Sequence, residues 1–256
     1  VIVNLQGGIG NQCFQWAFGR SVSLARKEEL FFDISHCRSE DQYSYSLDAF
    51  DIDVPTKSRE NREERGEPVF RYDPTVGMDP PGLYWNGYWQ TEKYFNIPVI
   101  RKELKFKIQP RPIALELAEE IRKQTSCFIH VRGGDYLREP HKSFHGNMTM
   151  GYYNMGIDYI KEFFSDTKFF VFSDNPDWCR RNFPSNFTLV EGTNKFEDMQ
   201  LMSYCDNAII CNSSFSWWGA WFNDEKQGRI VIAPQSWFQD KNMCQSDIVP
   251  DRWVRL

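Results

Sequence analysis

The run Phe128-Ile129-His130-Val131-Arg132-Gly133-Gly134-Asp135-Tyr136 carries an apolar, strand-like segment into an imidazole, a guanidinium, two glycines and a carboxylate. In an alternating α/β chain, such a change of character at a strand end marks a ligand site beyond the carboxyl edge of the sheet. The guanidinium of Arg132 offers a planar fork of donors that suits phosphate oxygens and stays charged at any working pH. The two glycines after it would let a phosphorylated ligand approach the backbone. The same residues also fit a surface turn in which Arg132 pairs with Asp135 and His130 simply finishes the strand.

Three further runs could share that chemistry. Gln6-Gly7-Gly8-Ile9-Gly10-Asn11 lies between a short apolar strand and a helix, where free backbone N–H groups can meet an anion. It lacks the Lys-Ser/Thr ending of a P-loop and does not match GxGxxG, so neither ATPase nor nicotinamide chemistry is indicated; a turn without a ligand fits as well. In Asn212-Ser213-Ser214-Phe215-Ser216-Trp217-Trp218-Gly219-Ala220-Trp221, Ser213 or Ser214 can cap a helix whose amino end also suits an anion. Trp217 and Trp221 share a face of that helix, as a core stripe would. In Phe172-Ser173-Asp174, the carboxylate can accept hydrogen bonds from a nucleotide base or cap the helix starting at Pro176. His141 and His145 are one helical turn apart, but Pro140 and Gly146 favour a loop over a zinc-binding helix. No G-x-S-x-G elbow is present. The legible chemistry is the holding of an anion without a metal.

The elements that must position these residues follow from hydrophobic period. Strands are predicted at 1–5 and 30–34 around a helix at 12–26, then a polar, irregular excursion over 35–81, then a strand or aromatic loop at 82–90. Helices follow at 92–101 and 112–123, the second with Pro112 in its first turn. Beyond Gln124 the pattern becomes regular. Strands at 127–131, 169–172, 187–190, 208–211 and 229–233 alternate with helices at 151–164, 176–182, 195–204 and 215–223, which predicts a mostly parallel sheet. A boundary is therefore placed between domains 1–125 and 126–256.

Composition narrows the class. The net charge of −5 and the lack of any Lys/Arg block argue against a nucleic-acid partner. Seven cysteines without a CxxC pair read as reduced thiols of a cytosolic protein. There is no run of about 20 apolar residues and no recognisable secretory segment, so no membrane-spanning segment is expected.

Taken together, these motifs resemble the bacterial α-1,2-fucosyltransferases of glycosyltransferase family 11. The resemblance rests on Gly7-Gly8-Ile9-Gly10-Asn11-Gln12, His130-Val131-Arg132-Gly133-Gly134-Asp135-Tyr136, Phe172-Ser173-Asp174 with Trp178, Asn212 to Gly219, and Ala233-Pro234-Gln235-Ser236-Trp237-Phe238, in the family's order. It implies a compact GT-B arrangement of two Rossmann-like domains facing across a cleft, residues 1–125 on the acceptor side and 126–256 binding GDP-fucose. The implied reaction transfers L-fucose from GDP-β-L-fucose to the 2-hydroxyl of a terminal galactose with inversion, without a cofactor or divalent metal.

On that reading Arg132 meets the donor diphosphate, with Ser213, Ser214 and Phe215 around it. His130 and Asp174 hold the nucleotide, and Gly8, Gly10 and Asn11 close the site from the amino-terminal half. Asp135 and Glu139 are the candidates for accepting the acceptor's proton. The implied partners are a nucleotide sugar and a galactose-terminated oligosaccharide or lipid-linked surface glycan, in the cytoplasm at the inner face of the membrane. One departure stands out: the family usually has two adjacent arginines after the histidine, and here the second is Gly133, with Arg20 or Arg138 as candidates to compensate. A different transferase on the same scaffold, including one acting on protein hydroxyls, is the near alternative. A carbohydrate-binding module stacking sugars on Trp85, Trp89, Trp217 and Trp237 is the distant one.

Overall fold

A computed structural model describes residues 1–37, 43–67, 70–107, 109–133, 148–240 and 243–256. The chain divides into two compact units, Val1–Ile108 with Met243–Pro250, and Gln109–Asn242 with Asp251–Leu256. The division falls between 108 and 109, whereas the sequence pattern places the change of regime at 125. The helix Pro112–Arg122 precedes the regular alternation but is tied to the second unit, where the Arg111 beside it binds Glu197 through backbone and side chain alike.

The first unit is built on four short strands, β1 (Ile2–Asn4), β2 (Phe31–Asp33), β3 (Glu64–Gly66) and β4 (Tyr84–Asn86), all parallel in the order β2-β1-β4-β3. Helix α1 (Ile9–Arg26) returns from the end of β1 and packs Phe18 flat on Trp89, with centroids 4.0 Å apart and planes at 7°, and edge-on to Trp85 at 5.4 Å. All three rings are essentially buried, each contributing about 2 to 3 kcal/mol of hydrophobic stabilisation. The sequence pattern misses β3, because Glu-Arg-Gly on an edge strand shows no apolar alternation. It also predicts one helix at 92–101. Pro98 instead enforces a fresh start, giving a 3₁₀ turn at Glu92–Tyr94 and a separate α2 (Ile97–Glu103).

The second unit has a six-stranded parallel sheet, in the order β10-β9-β8-β5-β6-β7. Its elements in chain order are α3 (Pro112–Arg122), β5 (Ser126–Val131), α4 (Met150–Phe163), β6 (Lys168–Ser173), α5 (Pro176–Asn182), β7 (Thr188–Leu189), α6 (Lys195–Tyr204), β8 (Asn207–Ile209), α7 (Ser214–Trp221), β9 (Val231–Ala233) and β10 (Val254–Arg255). Central β5 is buried along its whole length, which is why it reads as a continuous apolar run. It pairs with β6 from Ser126↔Lys168 to Val131↔Ser173 and with β8 through Ile129↔Ile209, so the ends of these three strands lie side by side. In α7, Trp217 and Trp221 stack at 6.1 Å and are fully buried, confirming the core stripe.

Candidate functional site

In the second unit the parallel strands end together, and their carboxyl edge gathers most of the sequence-predicted residues. His130 is the penultimate residue of β5, Arg132 and Gly133 follow that strand, Asp174 follows β6, and Ser213 to Phe215 open α7 after β8. Arg132 Nη1 lies 3.1 Å from Asp174 Oδ2, and Asp174 Oδ1 accepts the Gly133 amide at 2.7 Å. Arg132 thus pairs with Asp174; Asp135 and Glu139 lie outside the described residues, as does Arg138. Asp174 does not cap α5. That role belongs to Asn175, whose Oδ1 accepts the Trp178 amide at 3.3 Å.

His130 is buried, and its surroundings set its chemistry. Burial holds its pKa well below the ordinary histidine value, Arg132 pushes the same way, and Asp174 opposes them. The imidazole is therefore neutral at working pH and contributes hydrogen bonds rather than charge. Among the described residues, Arg132 is a cation of this edge. Its partner Asp174 fixes the guanidinium but leaves it about a quarter exposed. The His130 ring packs 5.5 Å from that of Phe215, joining β5 to the first turn of α7.

Ser213 occupies the N-cap position of α7, yet its side chain makes no capping hydrogen bond. The first intrahelical bond runs from the Trp217 amide to the Ser213 carbonyl at 3.0 Å. Amides of the preceding first-turn residues therefore have no intrahelical acceptor, and with the helix dipole they give this end positive potential. Two tyrosines of α4, which the sequence reading did not single out, brace the edge from below. Tyr152 Oη donates to the Ile210 carbonyl at 2.5 Å and Tyr153 Oη to the His130 carbonyl at 3.2 Å. Their signal lies only in adjacent phenols at the start of a helix that otherwise reads as amphipathic.

The glycine run belongs to the first unit. Gly7 has φ +76°, and a Cβ there would lie 2.4 Å from Asn11 Nδ2, so the turn requires glycine. Gly8 is the N-cap of α1, without a side-chain cap, while Gly10 is buried in the first turn. The turn is pinned by amides: Gln12 Nε2 donates to the Gly7 carbonyl at 2.8 Å, the Gln6 amide to Gln15 Oε1 at 3.0 Å, and Gln90 Nε2 to Asn11 Oδ1 at 2.8 Å. Arg20 is bound twice to Glu103, at 2.7 Å each.

This geometry matches a known group. The model for Glycosyl transferase family 11 matches residues 77–256. The chain belongs to glycosyltransferase family 11. It is 32% identical to alpha-1,2-colitosyltransferase of Escherichia coli over 100% of this chain and 98% of that protein. It is also 29% identical to the O-antigen biosynthesis glycosyltransferase WbnK of Escherichia coli, over 98% and 99% respectively. Among solved structures, POFUT1 in complex with GDP superposes with a TM-score of 0.53 and 14% identity, over 91% of this chain and 96% of that one. The family resemblance read from the motifs is borne out, and so is the α/β fold with two parallel-sheet units, which is of GT-B type.

As a family 11 glycosyltransferase the protein is an enzyme rather than a carbohydrate-binding module. Trp85, Trp89, Trp217 and Trp237 are all at most 3% exposed, so none has a free face for a sugar. Among the described residues no helix is long and apolar enough to cross a membrane.

Proposed function

We propose that the enzyme transfers L-fucose from GDP-β-L-fucose to the 2-hydroxyl of a terminal galactose in a bacterial surface glycan, inverting the anomeric centre without a divalent metal. The observation that carries this reading is the Arg132–Asp174 pair at the carboxyl edge of β5 and β6, beside the amino end of α7. The similarity to an O-antigen biosynthesis glycosyltransferase supports a surface-glycan acceptor. The GDP-bound structural neighbour supports a guanosine diphosphate donor.

The chemistry follows from charge. As the acceptor oxygen attacks the anomeric carbon, the bond to the β-phosphate oxygen breaks from the opposite face and negative charge develops on the departing GDP. Arg132, the Ser213 and Ser214 hydroxyls and the first amides of α7 meet that charge, and His130 donates a hydrogen bond without adding charge. One such contact is worth about 3 kcal/mol in the transition state, or roughly a hundredfold in rate. Asp174 holds the guanidinium for this role. The acceptor's proton goes to a carboxylate, with Asp135 or Glu139 as candidates. The second unit then holds the donor, and the first, with Gly8, Gly10 and Asn11, serves the acceptor side. The enzyme works in the cytoplasm on a galactose-terminated or lipid-linked acceptor at the membrane's inner face.

A second reading changes only the donor sugar: similarity along the whole chain to a colitosyltransferase favours GDP-colitose. Both are tested by a donor-by-acceptor screen with EDTA present, using both sugar nucleotides against lactose and N-acetyllactosamine and reading GDP release. Turnover with GDP-fucose supports the first reading; turnover confined to GDP-colitose selects the second. No transfer from either donor, or transfer only with added manganese, overturns the mechanism. Arg132→Ala with unchanged turnover would remove its central residue.

A further inference from the structure

Cys211 follows β8, two residues beyond the register pair Ile129↔Ile209, which brings it level with the end of β5. Its Sγ lies 3.2 Å from His130 Nδ1 and 3.9 Å from Ser216 Oγ. Both Cys211 and His130 are buried, at 1% and 5% exposure. One sulfur atom therefore touches a residue assigned to the donor site and the helix that presents the serines.

The direction of the proton in the Sγ···Nδ1 contact follows from the neighbours. Burial pushes the thiol up to about 12, so it keeps its hydrogen, and the imidazole is neutral with one N–H to place. Ser216 Oγ donates to the Ser213 carbonyl at 3.3 Å. An imidazole nitrogen is a far better acceptor than a thiol sulfur, so S–H donates to Nδ1 and the ring proton resides on Nε2.

We propose that Cys211 is a positioning residue for donor binding, whose thiol fixes His130 in the Nε2–H tautomer. The imidazole is thereby committed to donating from Nε2, which suits a phosphate or carbonyl oxygen of a nucleotide and rejects a donor group. This inference rests on the nucleotide-sugar reading. A cysteine that merely fills space would leave the tautomer free and require nothing of the hydrogen on sulfur.

The test uses the full chain with ¹⁵N-labelled histidine, assigning the His130 ring against a His130→Asn variant. Wild type should show a protonated Nε2 and an unprotonated Nδ1, and Cys211→Ala should give a mixture of tautomers. By calorimetry Cys211→Ala should bind GDP about tenfold more weakly, the cost of one lost hydrogen bond, and Cys211→Ser, which can also donate, should recover most of that loss. A wild-type ring protonated on Nδ1 would overturn the proposal. So would Cys211→Ala with the wild-type tautomer and GDP affinity, or Cys211→Ser as impaired as Cys211→Ala. The tautomer measurement needs no ligand. If wild type ignored GDP, the nucleotide reading would fall while the Cys211–His130 relation was still judged by the ring spectrum.

Discussion

The Asp174 carboxylate divides its oxygens between two consecutive residues of the next strand end, one facing the Arg132 guanidinium at 3.1 Å and the other accepting the Gly133 amide at 2.7 Å. Both bonds orient the turn after β5, but only the first depends on charge. Asp174→Asn keeps an acceptor for the amide and removes the counter-charge, so the turn should persist with a less constrained Arg132. Turnover should fall roughly tenfold, the scale of one charge-assisted hydrogen bond, while the thermal midpoint moves little because the pair is partly exposed. GDP release assays and thermal melts on the same preparations check this; a large loss of stability would make Asp174 mainly structural.

Glu67 gives the first unit a pH dependence in the neutral range. Its carboxylate follows β3 and accepts the Tyr88 and Trp89 amides at 2.7 and 2.9 Å, while its Oε1 has no hydrogen-bond partner among the described residues. Burial pushes it up to about 7 against the pull of those two amides. Because this folded value exceeds the unfolded one, the stabilisation is fully present below about 4.5 and is lost as pH rises through about 7. The unfolding free energy of wild type from urea titrations should decline relative to Glu67→Gln over that window, by on the order of 1 to 3 kcal/mol. Parallel pH profiles of the two proteins would refute the assignment.

Glu197 works in the opposite sense in the second unit. Its side-chain bonds to Arg111, reinforced by the Arg111 and Asn194 amides, hold it down to about 2. Stability from this carboxylate is present above about 4.5 and lost as pH falls toward 2. Glu197→Gln should lower the urea midpoint at pH 7, and the difference from wild type should vanish in acid. The residue also completes a capping box with Asn194 at the start of α6, so amide exchange in that first turn should quicken in the variant.

What was legible in the sequence follows from which forces are local. Strand β5, helix α7 and the glycine turn before α1 announce themselves because a buried strand, an aromatic core helix and a positive φ each demand particular residue types in a short window. Strand β10 was not legible, since two residues pairing with Val231–Ala233 from the chain's far end carry no period. The same holds for the site. Arg132, His130 and Asp174 could be named from strand ends, but that Asp174 holds Arg132 depends on β5 and β6 being neighbours in register. Cys211, Tyr152 and Tyr153 escaped because a buried thiol and two helix phenols look like core until the sheet brings Cys211 and Tyr153 to His130 and Tyr152 to the Ile210 carbonyl.

Gly133, where the family usually has a second arginine, has a steric account. A Cβ placed on it would lie 2.9 Å from Asn175 Cβ and 3.3 Å from Asn175 Nδ2, and Asn175 is held by its bond to the Trp178 amide and by the Ser173 hydroxyl that its own amide meets at 2.9 Å. Restoring the family pattern with Gly133→Arg should therefore destabilise rather than improve the enzyme, by about 1 to 3 kcal/mol as for other overpacked sites. Gly133→Ala should show a smaller cost of the same origin, since it adds the offending carbon without the long side chain. Asn175→Gly removes the opposing carbon at the expense of a helix cap, so a cycle of Gly133→Ala with Asn175→Gly separates the two effects. A favourable coupling in urea denaturation identifies the clash as the constraint. Additive costs would mean that Gly133 is present for another reason, and turnover of Gly133→Ala would then show whether an added side chain interferes with Arg132 itself.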